Sequence, residues 1–331
     1  MAKFIGRQLS VGIAKEATRG TGVAAQFWIP KTDVTVDDII MSAQDDSSIA
    51  VIEDAINQEV TTKAMQGSLA GRVYDKSFGL LLLAVLGSQA TTTTSGESAV
   101  YDHAFTVGES AQHPSLTISV ADANTPSSGA GIWHTLCMID QLTIDFEVNK
   151  FFTYKADFKG NSNVAQSVTA SFTSENGFDP QDGTVTTAAN ISGLASPVTV
   201  KVKKGSIIIK KNIEEDYVIG SQTAADRLNK QFTVEGTLEL FYNDRVFIDT
   251  DMLADLAQAI RISFTNTRVT LGSTSNPVIQ ITLAKAKIQS VAKKAANNNI
   301  VSETIKFKAF YSLADIEMID VLLRNTKSGT Y

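Results

Sequence analysis

Two stretches of this chain, MQGSLAGRVYDKSF at 65–78 and VEGTLELFYNDRVF at 234–247, carry the same order of residue types: a Gly, a Ser or Thr, a Leu, then a Tyr and an Asp. A chain that repeats a segment is committed to folding both copies into one local structure and burying both. In the second stretch Phe232, Val234, Gly236, Leu238 and Leu240 alternate with polar residues, which puts apolar side chains on one face of a strand. Aligning Gly67 with Gly236 sets Lys63–Leu69 against Phe232–Leu238 without a gap.

The repeat extends along most of the chain. The first copy reads DVTVDDIIM, an acidic interruption (Ala43 to Asn57), VTTKAMQGSLAGRVYD, an apolar helical run ending at Gly87, PSLTISVAD, MIDQLTI and FFTYKADFKG. The second reads SPVTVKVKKGSIIIK, another interruption (Asn212 to Asn229), KQFTVEGTLELFYND, DTDMLADLAQA, PVIQITLAK, KIQSVAK and SETIKFKAFYS. On this alignment Leu116, Ile118 and Val120 fall on Ile279, Ile281 and Leu283, and Ile139 and Leu142 on Ile288 and Val291. Met252, Leu253, Leu256 and Ile260 have helical spacing behind an Asp249 or Thr250 cap, so each copy predicts a β-domain with one flanking helix.

The expected organisation is an N-terminal arm (1–28), a first β-domain (29–160), a Ser/Thr/Asn/Gly-rich connector (161–196) with a strand at 167–172, a second β-domain (197–311) and a C-terminal helix (312–331) capped by Ser312. The fold class is mainly β, two tandem sandwich or barrel domains. Val, Ile, Thr and Phe dominate the short apolar runs, and Pro is scarce at 6 residues, which favours strands.

Charge divides the two copies. Residues 29–160 hold 17 Asp and Glu against 7 Lys and Arg, a net of −10. Residues 197–311 hold 11 against 16, a net of +5. The lysines of the second copy alternate within strands as solvated faces do, and no nucleic-acid-binding motif accompanies them. Opposite-signed copies lying side by side, within and between chains, are the simpler reading.

Chemistry is hard to find. The longest apolar run, Phe78 to Leu86, is too short to cross a bilayer, and the first twenty residues lack an apolar leader core, so folding in a cytoplasm is expected. The lone Cys137 allows no internal disulfide and reads as a small buried residue. His103, His113 and His134 have no metal-site spacing, and no nucleophile elbow, phosphate loop or dinucleotide fingerprint is present. DTD at 249–251 and EED at 214–216 lack the rest of an oxygen-ligand loop. No enzyme, cofactor or metal is expected.

The N-terminal stretch LSVGIAKEATRGTGVAAQFWIP, with Glu16 and Thr18 ahead of GTGVAA, an aromatic residue and a Pro, resembles the opening of the major tail proteins, the tail tube proteins of long-tailed bacteriophages. The tube protein of type VI secretion systems is similar. The resemblance implies β-sandwich or barrel domains assembled into stacked rings whose inner strands join into one barrel, a virion component assembled in the host cytoplasm. It implies an early loop reaching toward the adjacent ring, a role that falls here on Asp45, Asp46, Glu53 and Asp54 and on Glu214, Glu215, Asp216 and Asp226. The hairpins around Gly67 and Gly236 become candidates to line a lumen through which DNA passes without specific binding. Two fused copies let three chains fill a ring of sixfold appearance, with a hexamer as the alternative. Tape-measure and tail-terminator proteins are the further partners implied. The rival reading is a non-enzymatic β-sandwich adhesin, baseplate or capsid-decoration protein.

Overall fold

The computed structural model describes residues 5–121, 129–243 and 245–331. Strand β1 (Ser10–Lys15), β2 (Phe27–Ile29), the long hairpin β3 (Lys31–Asp45) and β4 (Asn57–Arg72), and helix α1 (Ser77–Leu86) open the chain. They are followed by β5 (Gly87–Thr93), β6 (Tyr101–Val107), β7 (Leu116–Ala121), β8 (Gly129–Glu147), β9 (Thr153–Gly160) and β10 (Val164–Val168). The rest comprises β11 (Gly183–Ala188), β12 (Val198–Val200), β13 (Val202–Lys210), the small hairpin β14 (Glu214–Asp216) and β15 (Asp226–Leu228), and β16 (Thr233–Phe241). After a single wide turn of π-helix (Phe247–Met252) come β17 (Gln258–Thr265), β18 (Val278–Lys294), β19 (Ser302–Ala309) and β20 (Ile319–Asn325).

All ladders are antiparallel, and they fall into two series of the same order. In the first, β3 pairs β4, β4 pairs β9, β9 pairs β8, and β8 pairs β7 and β10. In the second, β13 pairs β16, β16 pairs β19, β19 pairs β18, and β18 pairs β17 and β20. The strands β1 and β2 extend the β7 edge as β11 and β12 extend that of β17. Even the irregularities correspond: register slips between Ile139 and Gln141 and between Ile288 and Ser290, each one residue beyond the partner of a phenylalanine, Phe158 or Phe307. At those bulges β8 and β18 leave an outer layer and enter an inner one, because an extra residue bends a strand and tightens its twist.

Gly67 and Gly236 hold equivalent places in this inner layer. A Cβ on Gly67 would stand 2.9 Å from the Phe158 ring and closer still to the Thr35 carbonyl, and one on Gly236 would run into the Phe307 ring and stand 2.8 Å from the Ser206 carbonyl. Each glycine therefore clears the space in which an aromatic ring from the next strand lies flat on the sheet. The rings belong to one continuous apolar core that includes Leu69, Leu142, Ile207 and Leu238 from both series. The stacked pair Phe152 and Phe264, 4.0 Å between centroids, joins the two halves.

Helix α1 forms as expected from its apolar run and is buried along its whole length. It ends at Gly87, whose φ of 93° only glycine adopts without strain and whose N–H bonds the Leu83 carbonyl. Five expectations are corrected. The second flanking helix shrinks to the π-helical turn, because Ile260, Ile262 and Phe264 alternate as a buried strand and leave Leu253 and Leu256 exposed. The strand occupying the place of β7 is therefore β17, and Ile279, Ile281 and Leu283 belong to the counterpart of β8. The C-terminal helix is strand β20: Ile319, Val321 and Leu323 are buried with period two, whereas Leu313 and Ile316, which completed the helical spacing, face solvent. Residues 5–28 are not an arm outside the β-domain, since Val11 and Ile13 of β1 sit in the core beside β7. The connector likewise holds β10, close to the strand expected at 167–172, and β11.

The small hairpin β14–β15 folds back onto the first half of the chain. It leaves β13 at Lys211 and Asn212, the latter at a left-handed φ of 51°. Lys211 is fully buried and donates from Nζ to the Ala84 carbonyl near the end of α1 at 2.8 Å, while its N–H bonds the Asp140 carbonyl. The Ile213 N–H bonds Asp140 Oδ1. Arg227, also fully buried, donates to Glu215 Oε1 at 2.8 Å, Asn161 Oδ1 at 2.8 Å and the Gly160 carbonyl at 2.7 Å. Arg19, in the sequence stretch singled out above, donates from Nε to Asp226 at 3.0 Å.

Replacing Gly236 by Ala is expected to destabilise the chain by about 1–3 kcal/mol, the range for overpacking a filled site, read as a lower denaturation midpoint; an unchanged midpoint would show that Phe307 moves aside freely. Burial pushes the Lys211 ammonium down from 10.5 to about 7. Below pH 7 the amine is protonated in folded and unfolded chains alike. Between pH 7 and 10.5 the unfolded chain holds the proton more tightly, so this group adds stability as pH rises, by up to about 1.4 kcal/mol per pH unit. The stability difference between the wild type and Lys211→Met should thus move in favour of the wild type from pH 7 to 9, and a pH-independent difference would contradict the assignment.

Candidate functional site: open strand edges and exposed hairpins

Strand β13 also pairs with β8, from Lys204 opposite Glu147 to Lys210 opposite Gln141. The inner layers thereby fuse into one antiparallel sheet of eight strands in the order β3, β4, β9, β8, β13, β16, β19, β18. It has two ends. At one, β3 pairs with β4 alone. At the other, residues 290–294 of β18 pair with β19 on one side and have no ladder on the other among the described residues. The equivalent stretch of β8 is the one that receives β13.

The ends differ in charge. Asp33, Asp37 and Asp38 lie along β3, and Lys293 and Lys294 close β18. This is the acidic and basic division of the sequence, concentrated at two edges.

One face of the eight-stranded sheet carries the core and the other is polar. Gly67 and Gly236 face the core, and their neighbours Gln66, Ser68, Glu235 and Thr237 turn to the polar face. Lysines on that face lie beside carboxylates: Lys155 is 3.0 Å from Asp157, Lys308 is 3.6 Å from Glu235 and Lys204 is 3.7 Å from Glu147. Pairs this exposed contribute little to stability, but each sets a carboxylate beside the positive charge.

The acidic residues expected in the loops divide into two groups. Asp45 ends β3, and Asp46, Glu53 and Asp54 lie in the exposed tip 46–56 of the long hairpin. A hydrogen bond from Ser47 lowers the pKa of Asp45. The same tip exposes Ile49, Val51 and Ile52. Glu214, Glu215 and Asp216 form β14 and Asp226 opens β15, but Glu215 and Asp226 turn inward. Burial works against the ionised Asp226, and the hydrogen bonds from Arg19, the Arg227 N–H and Gln112 outweigh it, leaving its pKa lowered. Sequence reasoning missed Lys211, Arg227 and Arg19. The available signal was a basic residue set inside each otherwise acidic or Gly-rich segment.

The remaining titratable groups are structural. Burial lowers the pKa of all three histidines. His103 bonds Thr91 and Asn325, His113 the Gly108 carbonyl and His134 the Asn161 carbonyl. Cys137 is buried and its pKa is raised for the same reason. No group of three or more His, Cys, Asp or Glu able to hold a metal occurs among the described residues, and no helix there is long and apolar enough to cross a membrane.

The described surface presents two open strand edges of unlike charge, a polar sheet face and two hairpins. No curated protein matches it. A family model described as phage tail tube protein matches residues 6–309. The family is structural and non-enzymatic, its members assembling with copies of themselves into the tube of the virion tail. A match over nearly the whole chain, on a β-rich fold built for edge contacts, shows that this chain belongs to the phage tail tube protein family.

Proposed function

We propose that the chain closes a ring of three subunits by pairing the open edge of β18 with β3 of the next chain, and that stacked rings form the conduit through which phage DNA leaves the capsid. The observation that carries this is the β8–β13 ladder, an internal junction between the same two kinds of strand. Its register, transferred to the open edges, sets Ser290 opposite Ile39, Ala292 opposite Asp37 and Lys294 opposite Thr35 of the neighbour. Three chains of eight inner strands would close a barrel of 3 × 8 = 24 strands with no edge left unpaired. A heterologous contact of this kind closes only if the rotation per chain divides a full turn.

On this reading the two strand series are copies of one module. The boundaries 29–160 and 197–311 widen to Ser10–Val168 and Gly183–Asn325, so that β1 and β11 open each copy and β10 and β20 end it. The polar face of the eight strands, with Gln66, Ser68, Glu235 and Thr237 beside the two glycines, lines the lumen. Three of its lysines, Lys155, Lys204 and Lys308, lie beside carboxylates, which limits retention of the DNA phosphates. Asp45, Asp46, Glu53 and Asp54, with the outward Glu214 and Asp216, meet the adjacent ring. Tape-measure and tail-terminator proteins occupy the lumen and the end of the tube.

Native mass measurement of an isolated ring tests this: three chains of 35.5 kDa are expected, and six would remove the trimer. Reversing Asp37 and Asp38 to Lys should slow assembly by an order of magnitude or so at low salt, and adding Lys293→Glu and Lys294→Glu should restore it; unaltered assembly of the first variant would exclude the β3 edge from the contact.

A further inference from the structure

The two hairpins have the same register but different surroundings. Ala43, Gln44 and Asp45 pair with Glu59, Gln58 and Asn57 as Glu214, Glu215 and Asp216 pair with Leu228, Arg227 and Asp226. In the second hairpin the chain kinks at Asn212 and latches onto the half of the molecule whose β8 receives β13. In the first, the corresponding place is the register slip between Met41 and Ser42; there β4 touches the loop of the second hairpin, the Lys63 N–H bonding the Gln222 carbonyl at 2.6 Å and Gln222 Nε2 the Val60 carbonyl at 2.8 Å, while the β3 side and the tip beyond are exposed. Ile40, which occupies the position of buried Lys211, is 57 % exposed, and Met41 is 60 % exposed.

We infer that on assembly the stem of the long hairpin bends at this slip and latches sideways onto the second half of the chain whose β18 receives β3, so that a second copy of this chain is its partner. The inference rests on the ring reading above and adds a contact to it. The receiving surface has matching parts. Gln289 holds the place of Asp140, whose carbonyl and carboxylate take the N–H groups of Lys211 and Ile213. A glutamine offers a backbone carbonyl and a side-chain oxygen in the same way, here for Ile40 and Ser42. Where Lys211 meets the end of α1, Ile40 and Met41 would meet Leu253 and Leu256, which follow the π-helical turn and are 68 % and 51 % exposed.

The chemistry of the two junctions differs in a way their histories require. The internal latch forms once, during folding, and carries Lys211, whose ammonium donates to the Ala84 carbonyl, and Arg227, whose guanidinium donates to Glu215, Asn161 and the Gly160 carbonyl. The latch between chains forms from surfaces that were in water before, and it places Ile40 and Gln58 where the internal one has Lys211 and Arg227. Apolar contact carries no desolvated charge and tolerates small errors of docking.

Paired cysteine variants of the full chain, assembled into tubes and treated with a short bis-thiol cross-linker, separate this inference from the ring reading. Asp37→Cys with Ala292→Cys reports strand pairing between chains, and Ile40→Cys with Leu256→Cys reports the latch. Native Cys137 is buried and serves as the background. Both pairs should yield chain-to-chain products, and Ile40→Asp should reduce assembly at least tenfold without changing the subunit's unfolding midpoint, since the side chain is exposed there. Strand-pair products without latch products would overturn the latch and leave the ring standing. Absence of both products in tubes that form would overturn the ring reading together with the latch.

Discussion

Every β-sheet that does not close on itself ends in two rows of backbone N–H and C=O groups that something must satisfy. In this molecule the two rows lie on strands β3 and β18, at opposite ends of an eight-stranded sheet, and they are of unlike charge. Water can satisfy them in a free subunit. On the proposed reading, a neighbouring copy would satisfy them with directional bonds, register and charge complementarity at once, and the unfinished sheet would be the means of assembly.

The same constraint explains why the interior of the chain has been arranged as it has. The β8–β13 junction is a strand-to-strand contact between the two series made within one chain. Once internal, it could be locked by groups that a contact between separate chains carries poorly: a buried lysine at the end of α1 and a buried arginine spread over Glu215, Asn161 and the Gly160 carbonyl. The Arg227 guanidinium is paired with the Glu215 carboxylate and bonded to two further acceptors, Asn161 Oδ1 and the Gly160 carbonyl, which offsets the cost of burying such a charge. Tail tube subunits need no catalytic group, and the titratable residues accordingly serve folding and contact.

The outer layer binds the halves in a second way. Strands β5 and β6 have no counterpart in the second series, and β6 pairs with β20 from the far end of the chain. Tyr331 lies against Phe105 and His103 and accepts a hydrogen bond from Asn325, so the C-terminal residue is part of the core. Shearing one half against the other would break a ladder on each layer.

Much of this was legible in the residues. The glycine-centred repeat located equivalent strands because a glycine beneath an aromatic ring is a local requirement, and it recurs at Gly67 with Phe158 and at Gly236 with Phe307. The apolar run ending in Gly87 was enough to define α1, and the opposed charge of the two copies foreshadowed the two edges. Tertiary structure alone decided the cases in which one apolar set fits two periods. Ile319 and Val321 satisfied a helix when counted with Leu313, Ile316 and Leu322, yet the segment folds as a strand that buries Ile319, Val321 and Leu323, because β18 and β6 leave a slot between them whose hydrogen bonds only an extended chain can fill. Likewise Leu116 could be matched to Ile279 by alternation, but only the bulges opposite Cys137 and Ala286 show which strands share a place. Local pattern fixes what a segment can bury; which partner it meets, and hence which of two hairpins lies latched and which remains exposed, depends on contacts between residues far apart in the chain.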